Sequence, residues 1–421
     1  MARKMKDSGI DWIGSIPENW TISRTKNYYT NHKYVVGDKA AEYERLALTL
    51  NGVIKRPKDD STGLQPEEFS GYQILSTDEL VFKLIDLQNI STSRVGLSPY
   101  TGIVSPAYII LHKKEGVDSK YGEYFFLSMW QREIFNQMGD DGVRSSLNTS
   151  DLLNIPYTFP PLPEQQKIAT FLDKQCTEID TVLTKTRESI EEYKLLKNAI
   201  ITQAVTKGIR PNRKMKDSGI AWIGEIPEEW EVCKLKPFLK WKSIKGFGNE
   251  TVLSLYRDLG VVPKDSRDDN HNVTSLDTDS YKLVEVGDFV INKMKAWQGS
   301  MAISNYRGIV SPAYHICSIE SNKIYKPYFH HLMRNKSYLP EYERLSGGLR
   351  IGQWDLAFDD FCQIKFLIPS LEEQKEIANY VDKKCIEIDT LITKKEQLIT
   401  ELETYKKSLI YEYVTGKKEV Q

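Results

Sequence analysis

The chain reads KMKDSGIDWIGSIPENW over residues 4–20 and KMKDSGIAWIGEIPEEW over residues 214–230. Only the pairs 11/221, 15/225 and 19/229 differ between the two stretches. Two further blocks recur in the same order. GIVSPAY stands at 102–108 and again at 308–314, and a long charged segment with apolar residues at helical spacing follows Pro160 and returns after Pro369. A period near 210 residues is far longer than the roughly 20–50 residues of a solenoid repeat, so it marks two copies of a whole domain with its connector. Two equivalent sites related by a pseudo-two-fold axis suit a ligand that is itself nearly two-fold symmetric, and duplex DNA is such a ligand.

A chain of 421 residues can build two ordinary domains plus connecting elements. Its 57 Lys+Arg and 58 Asp+Glu give a formal net charge of -1, so no global positive field draws it to nucleic acid. DNA affinity must then come from local patches or from partners. The five cysteines (Cys176, Cys233, Cys317, Cys362, Cys385) are odd in number and form no CxxC pair, which predicts reduced thiols without a disulfide framework or structural zinc. No apolar run approaches the ~18 residues of a membrane span and the N-terminus lacks a signal-like apolar region, so a cytoplasmic location is expected.

The segments 21–158 and 231–367 are rich in β-branched and aromatic residues and punctuated by turn signals such as Gly37-Asp38 and Gly139-Asp140. Leu80-Val81-Phe82, 107–111, 288–291 and 314–317 are the strand candidates, among helices such as 121–137, which predicts an α/β (α+β) domain made twice. The intervening texture is different. Glu164 to Thr206 and Glu373 to Thr415 contain no Pro or Gly, and apolar residues recur every three or four positions. In the second run Ile388, Leu391, Leu398, Leu402, Tyr405 and Leu409 define a heptad seam with Lys395 as its polar member. Ile179, Val182, Tyr193, Leu196 and Ile200 occupy the matching places in the first, with Thr186 and Ser189 polar. Ser370 with Glu373 makes an S-x-x-E capping signature, Pro161 and Pro163 suit a first turn, and Gly208 and Gly416 mark the ends. The simplest packing sets these helices antiparallel as an internal coiled coil; the rival use of the seam is homodimerisation.

Catalytic signatures are missing. Asn154-Ile155-Pro156-Tyr157 lacks the second proline of an Asn-Pro-Pro-Tyr loop and reads as a strand leading into the first long helix. There is no G-x-x-x-x-G-K-[ST] loop, and His330-His331 are adjacent, so on a helix they point apart. The chain is therefore expected to be no enzyme by itself and to hold no metal.

Features suited to DNA are more visible. Lys234, Lys236, Lys240, Lys242 and Lys245 come without an acid and with Phe238 and Trp241 among them; Arg24, Lys26 and Lys33 follow Trp20 in the same way. Such cations can neutralise phosphates, although a charge run is as easily a solvated face. Asn292, Lys293, Lys295, Trp297 and Gln298 follow one strand candidate, and Lys83, Asp86, Gln88 and Asn89 follow its counterpart. These carry donors and acceptors for groove readout and differ between the halves. Arg144 and Arg350 lie in glycine-containing loops from which an Arg could reach a guanine or a phosphate.

With its repeated DSGIxWIGxIPExW segments, repeated GIVSPAY, and P-x-L-x-E-Q blocks at 160–165 and 369–374, the chain resembles the specificity subunit of type I restriction-modification enzymes over its whole length. The resemblance implies two pseudo-two-fold related target-recognition domains, each reading half of a bipartite double-stranded DNA target, separated by an antiparallel coiled coil of two long helices that docks two methyltransferase subunits. Motor-nuclease subunits would complete the complex, and S-adenosylmethionine, ATP and Mg would belong to those partners, with no cofactor here. The implied layout is an opening segment and first recognition domain over 1–158, a spacer helix over 159–207, a linker, second opening segment and second domain over 208–367, and a second helix with its tail over 368–421. A coiled-coil scaffold that binds only protein surfaces is the alternative.

Overall fold

The computed structural model describes residues 3–60, 68–88, 92–138, 146–266, 278–348 and 354–420. The chain divides into two compact units that do not follow chain order: Met1–Thr186 with Glu396–Gln421, and Arg187–Lys395. Each unit thus holds one globular domain, the start of its own long helix and the far end of the other.

Both opening segments fold alike. Met5–Asp7 pairs antiparallel with Ser15–Pro17, and Met215–Asp217 with Glu225–Pro227. The DSG turn is made by the Asp side chain accepting the Gly9 or Gly219 amide (3.1 and 2.9 Å) while that glycine sits at φ 69° or 65°. A side chain there would be strained, so the turn needs glycine. The turn lets Ile13, Ile16 and Trp20, or Ile223, Ile226 and Trp230, enter the core.

Beyond it, the first and last strands of each domain close on one another. Thr21–Arg24 pairs with Pro156–Phe159, and Glu231–Lys234 with Lys365–Ile368, just before each long helix begins. The Asn154-to-Tyr157 string accordingly runs into a strand, as expected from its sequence.

The central sheet of the first unit runs in the order Tyr29–Thr30, Ile109–Lys113, Leu80–Phe82, Val95–Leu97; that of the second runs Leu239–Lys242, Tyr314–Ile319, Phe289–Asn292, Met301–Ile303. Neighbours are antiparallel, with Val81 opposite Ile110 and Val290 opposite Ile316. Strand alternation explains why Leu80-Val81-Phe82 is buried throughout. Leu80 and Phe82 face the helical layer with Phe125 and Phe126, while Val81 faces a second sheet with Leu46, Leu48 and Val104. Phe289 and Ile291 divide from Val290 in the same way. The helix expected at 121–137 is two, Ser119–Gln131 and Ile134–Met138, the first capped by Asp118 accepting the Tyr121 amide at 2.8 Å.

The long helices are Leu162–Lys207 and Leu371–Val414. Within the first unit Asp180 pairs with Lys406 (2.6 Å) and the Phe171 ring packs at a tilt against Tyr413 (4.5 Å), so the two segments run antiparallel. Within the second, Lys197 pairs with Asp389 (2.6 Å) and Lys395 lies over Tyr193 (5.6 Å), again antiparallel. The two ion pairs are one contact made twice, since Asp180 corresponds to Asp389 and Lys197 to Lys406 in the repeat.

The seam differs from the expected one at every second position. Ile388 and Leu409 are buried as predicted, but Leu391, Leu398 and Tyr405 are 41%, 40% and 50% exposed. Ile392, Ile399 and Lys406 take those places, as Leu183, Ile190 and Lys197 do in the other helix. Both phases share Ile388, Lys395, Leu402 and Leu409, and the sequence favours the one whose remaining positions, Leu391, Leu398 and Tyr405, carry no lysine. The structure adopts the other because Lys197 and Lys406 lay their methylenes along the seam and deliver the ammonium to an aspartate across it.

Candidate nucleic-acid interface

The repeated blocks form the joints on which any reading surface is mounted. Glu164 accepts the Trp20 indole N–H at 3.0 Å and pairs with Arg3 at 2.5 Å; Glu373 accepts the Trp230 indole at 3.2 Å and pairs with Arg213. Ser370 caps the Glu373 amide (3.3 Å), but the Glu373 carboxylate turns to Trp230 and Arg213, so only half of the expected capping box forms. The adjacent glutamine locks the domain to the helix start. Gln165 accepts the Asp118 amide (2.9 Å) and donates to the Pro160 carbonyl (2.8 Å), and Gln374 does the same with Tyr325 (2.8 Å) and Pro369 (2.9 Å).

GIVSPAY is a strand followed by a turn held from beneath. In the first unit the buried Gln73 amide donates to the Ser105 and Tyr108 carbonyls (3.0 and 2.5 Å). In the second the buried Lys282 ammonium donates to the Pro312 and Tyr314 carbonyls (3.2 and 2.7 Å). Burial, then Lys293 and Lys245, hold that ammonium below the usual lysine range. Lys282 also lies 5.9 Å from the ring of Trp241, which is half exposed. Lys282 therefore joins two groups that the sequence shows only separately: the basic run with Trp241 and Lys245, and the turn that begins at Asn292.

Around this centre Asn292 caps the 3-10 helix Lys293–Gln298 by accepting the Met294 amide at 3.2 Å. Lys293 pairs with Asp355 (3.1 Å), Trp297 packs edge-on against Trp354 (5.5 Å), Lys295 is exposed and Gln298 is half-buried. Other members of the basic run are locally engaged. Lys242 pairs with the buried Asp288 at 2.6 Å, Lys240 with Glu320 at 3.5 Å, and Lys234 donates to Gln363 at 2.8 Å; Lys236 and Lys245 are exposed.

In the first unit Lys33 and Gln88 are exposed, as are Arg24, which donates to Asn154 at 3.2 Å, and Lys26. Lys83 donates weakly to Thr92 (3.5 Å), and burial, then Arg94, hold its ammonium below the usual range. Arg94, missed in the sequence, is buried beside it and donates to the Asp86 carbonyl at 2.5 Å. Asn89, Arg144 and Arg350 lie outside the described residues. The resulting surfaces offer cations and aromatic rings on a rigid frame, and their chemistry differs from one unit to the other.

Among the described residues no group of three or more His, Cys, Asp or Glu could hold a metal ion, and no helix is long and apolar enough to cross a membrane. His330 and His331 point apart, one accepting the Ile303 amide (3.2 Å), the other bonding Asp382 (2.7 Å).

The type I restriction enzyme MjaVIII specificity subunit of Methanocaldococcus jannaschii is 26% identical over 432 residues, covering 96% of this chain and 94% of that one. The EcoKI specificity subunit of Escherichia coli (strain K12) is 22% identical, covering 90% of this chain and 84% of that one. A solved chain from a study of complex assembly and conformational transition of the type I R-M system shares the fold, with TM-score 0.70 at 13% identity over 96% of this chain and 99% of that one. The family described as "Type I restriction modification DNA specificity domain" matches residues 22–192 and again 227–403. The chain belongs to that family and carries its domain twice.

Proposed function

We propose that this chain is the non-catalytic, sequence-reading subunit of a type I restriction-modification complex, in which each unit reads one half of a bipartite duplex target. The observation that carries this reading is the division of labour within the repeat. Joint residues recur with the same partners, as Trp20 with Glu164 and Trp230 with Glu373, while the surroundings of the repeated turn differ, with a buried lysine, Lys282, where the other unit has a buried glutamine, Gln73. Equal joints with unequal faces suit one frame addressing two half-sites.

The long helices are the docking surface for two methyltransferase subunits, which supply S-adenosylmethionine chemistry, and motor-nuclease subunits add ATP and Mg. Cations such as Lys245, Lys293 and Lys295 would neutralise phosphates, and the side chains of 292–298 would meet base edges. A triple variant Lys293→Ala, Lys295→Ala and Gln298→Ala tests the assignment in a mobility-shift assay with the methyltransferase present. Weakened discrimination at one half-site with assembly intact is the expected result. Equal loss at both half-sites, or no salt-sensitive, sequence-dependent shift from the unaltered protein, would refute it.

A further inference from the structure

Two equivalent positions differ between the units, and in the second unit the two residues meet. Gln73 and Lys282 correspond, opposite Val104 and Val310 of the repeated strand. Asn31 and Trp241 correspond as well, since the residue before each pairs at the same place, Thr30 opposite His112 and Lys240 opposite Ser318. The Lys282 ammonium lies 5.9 Å from the Trp241 ring, within range of a cation–π contact.

Neither residue is needed to build the fold. The first unit holds its Ser-Pro-Ala-Tyr turn with a neutral amide, Gln73, and Asn31 keeps its side chain on the protein by donating to the Ile110 carbonyl at 2.7 Å. The second unit instead buries a charge that is 8% exposed. Its hydrogen bonds go to the Pro312 and Tyr314 carbonyls, which offset desolvation less than a carboxylate would. The same unit leaves the Trp241 indole 50% exposed. A charge where an amide would serve, beside a large ring left open to solvent, is a departure from stability that marks a functional site. Lys282 also ties the ring to the reading turn. Between the two carbonyls it holds, the Ala313 carbonyl accepts the Lys293 amide at 3.1 Å, at the first residue of the 3-10 helix Lys293–Gln298.

Building on the DNA-reading function proposed above, we infer that Lys282 is a positioning residue for Trp241, and that the exposed indole reads a thymine of the second half-site by contact with its C5-methyl group. That methyl is the apolar feature among base edges in the major groove, and an apolar side chain is what reads it. The first unit, with Asn31 and Gln73 in these places, has no such reader here.

The test measures binding of the full-length chain with its cognate methyltransferase to duplexes carrying the target found by methylation mapping. In one arm each thymine of the second half-site is replaced by deoxyuridine, which lacks only the methyl group. One such replacement should weaken binding of the unaltered chain and leave Trp241→Asn unaffected. In the other arm Lys282→Gln and Trp241→Asn install the first unit's own residues. Each should weaken binding by about tenfold, the size of a desolvated cation–π or base contact, with the double variant no weaker than either single one. A merely structural lysine would give losses that multiply, or loss of discrimination at both half-sites, and either result overturns the inference. So does full affinity in Lys282→Gln, a second half-site without thymine, or deoxyuridine duplexes bound as tightly as the originals. The deoxyuridine arm uses the unaltered chain, so it decides even where a variant fails to fold. Absence of any sequence-dependent binding by the unaltered complex would overturn the functional reading together with this one.

Discussion

The Trp20 indole donates to Glu164 from 144 positions away, at 3.0 Å, and so ties the opening hairpin to the first turn of the helix that leaves the domain. Trp230 and Glu373 repeat the tie in the second unit. The carboxylate is turned from the helix end to the domain. It satisfies an indole that is almost wholly buried and neutralises an arginine stacked near the same ring, Arg3 or Arg213 at 5.3 or 5.9 Å.

Glu373→Ala should therefore be costly. Glu373 is 3% exposed, and its loss leaves the Trp230 N–H unpaired and the part-buried Arg213 guanidinium with the exposed Glu229 alone. A loss of about 3–5 kcal/mol is expected for removing one member of a buried pair. Glu387→Ala, which removes only the exposed pair with Lys384, should leave stability nearly unchanged. Chemical denaturation of both variants checks the contrast, and similar midpoints would show that the tie is not structural.

The observed seam can be separated from the one its sequence suggests. Ile190 is 6% exposed and Leu196 is 49% exposed. Ile190→Ala should cost about 2–5 kcal/mol as a core truncation, whereas Leu196→Ala should stay within ~0.5 kcal/mol. Thermal melts rank the two, and the reverse order would restore the other phase.

Acid should loosen the second unit through His330. Burial, then Arg334 and His331, lower its pKa to about 3, and its ring nitrogen accepts the Ile303 amide. The unfolded chain takes up this proton near pH 6.5 and the folded one does not, so the contribution is complete above ~6.5 and is lost as pH falls toward ~3. Roughly 1–2 kcal/mol should disappear between pH 7 and pH 5, and His330→Gln should flatten that slope. An unchanged slope in the variant would place the sensitivity elsewhere.

Half-site spacing should follow helix length. A four-residue insertion before Thr206 would shift the seam out of phase and drag the Val205 carbonyl from Tyr328. Seven residues inserted in each helix at equivalent positions, after Thr186 and after Lys395, keep the heptad intact and add ~10 Å at ~1.5 Å per residue. Methylation mapping should then find the gap longer by about three base pairs at ~3.4 Å each, with both half-sites unchanged. An unaltered gap with full activity would mean that the helices are not the ruler.

Much of this architecture is readable from residues because the chain supplies its own comparison. Leu80–Phe82 is the strand its apolar run suggests, and the helices begin and end within a few residues of their proline, capping and glycine signals. The seam phase was half legible, since Lys197 and Lys406 look like surface residues until the aspartate opposite each is known. Lys282 and Arg94 were hidden for a related reason. Charge in a sequence suggests solvent, and nothing local reveals that a lysine will lie under a turn as Gln73 does in the other copy. The alignment of Gln73 with Lys282 was the available signal.

Because the carbonyl of Val414 receives both Tyr121 (2.9 Å) and Thr158 (2.9 Å), the earlier-made of the two domains waits for a residue that follows Thr158 by 256 positions. At roughly 5–20 residues per second the wait is on the order of tens of seconds, during which its aromatic core has an open side. The second unit, continuous from Arg187 to Lys395, has no such delay. Birth order and completion order are thus inverted. Chaperone occupancy during translation should concentrate on the earlier domain, and a late nonsense codon should damage the half of the molecule encoded farthest from it.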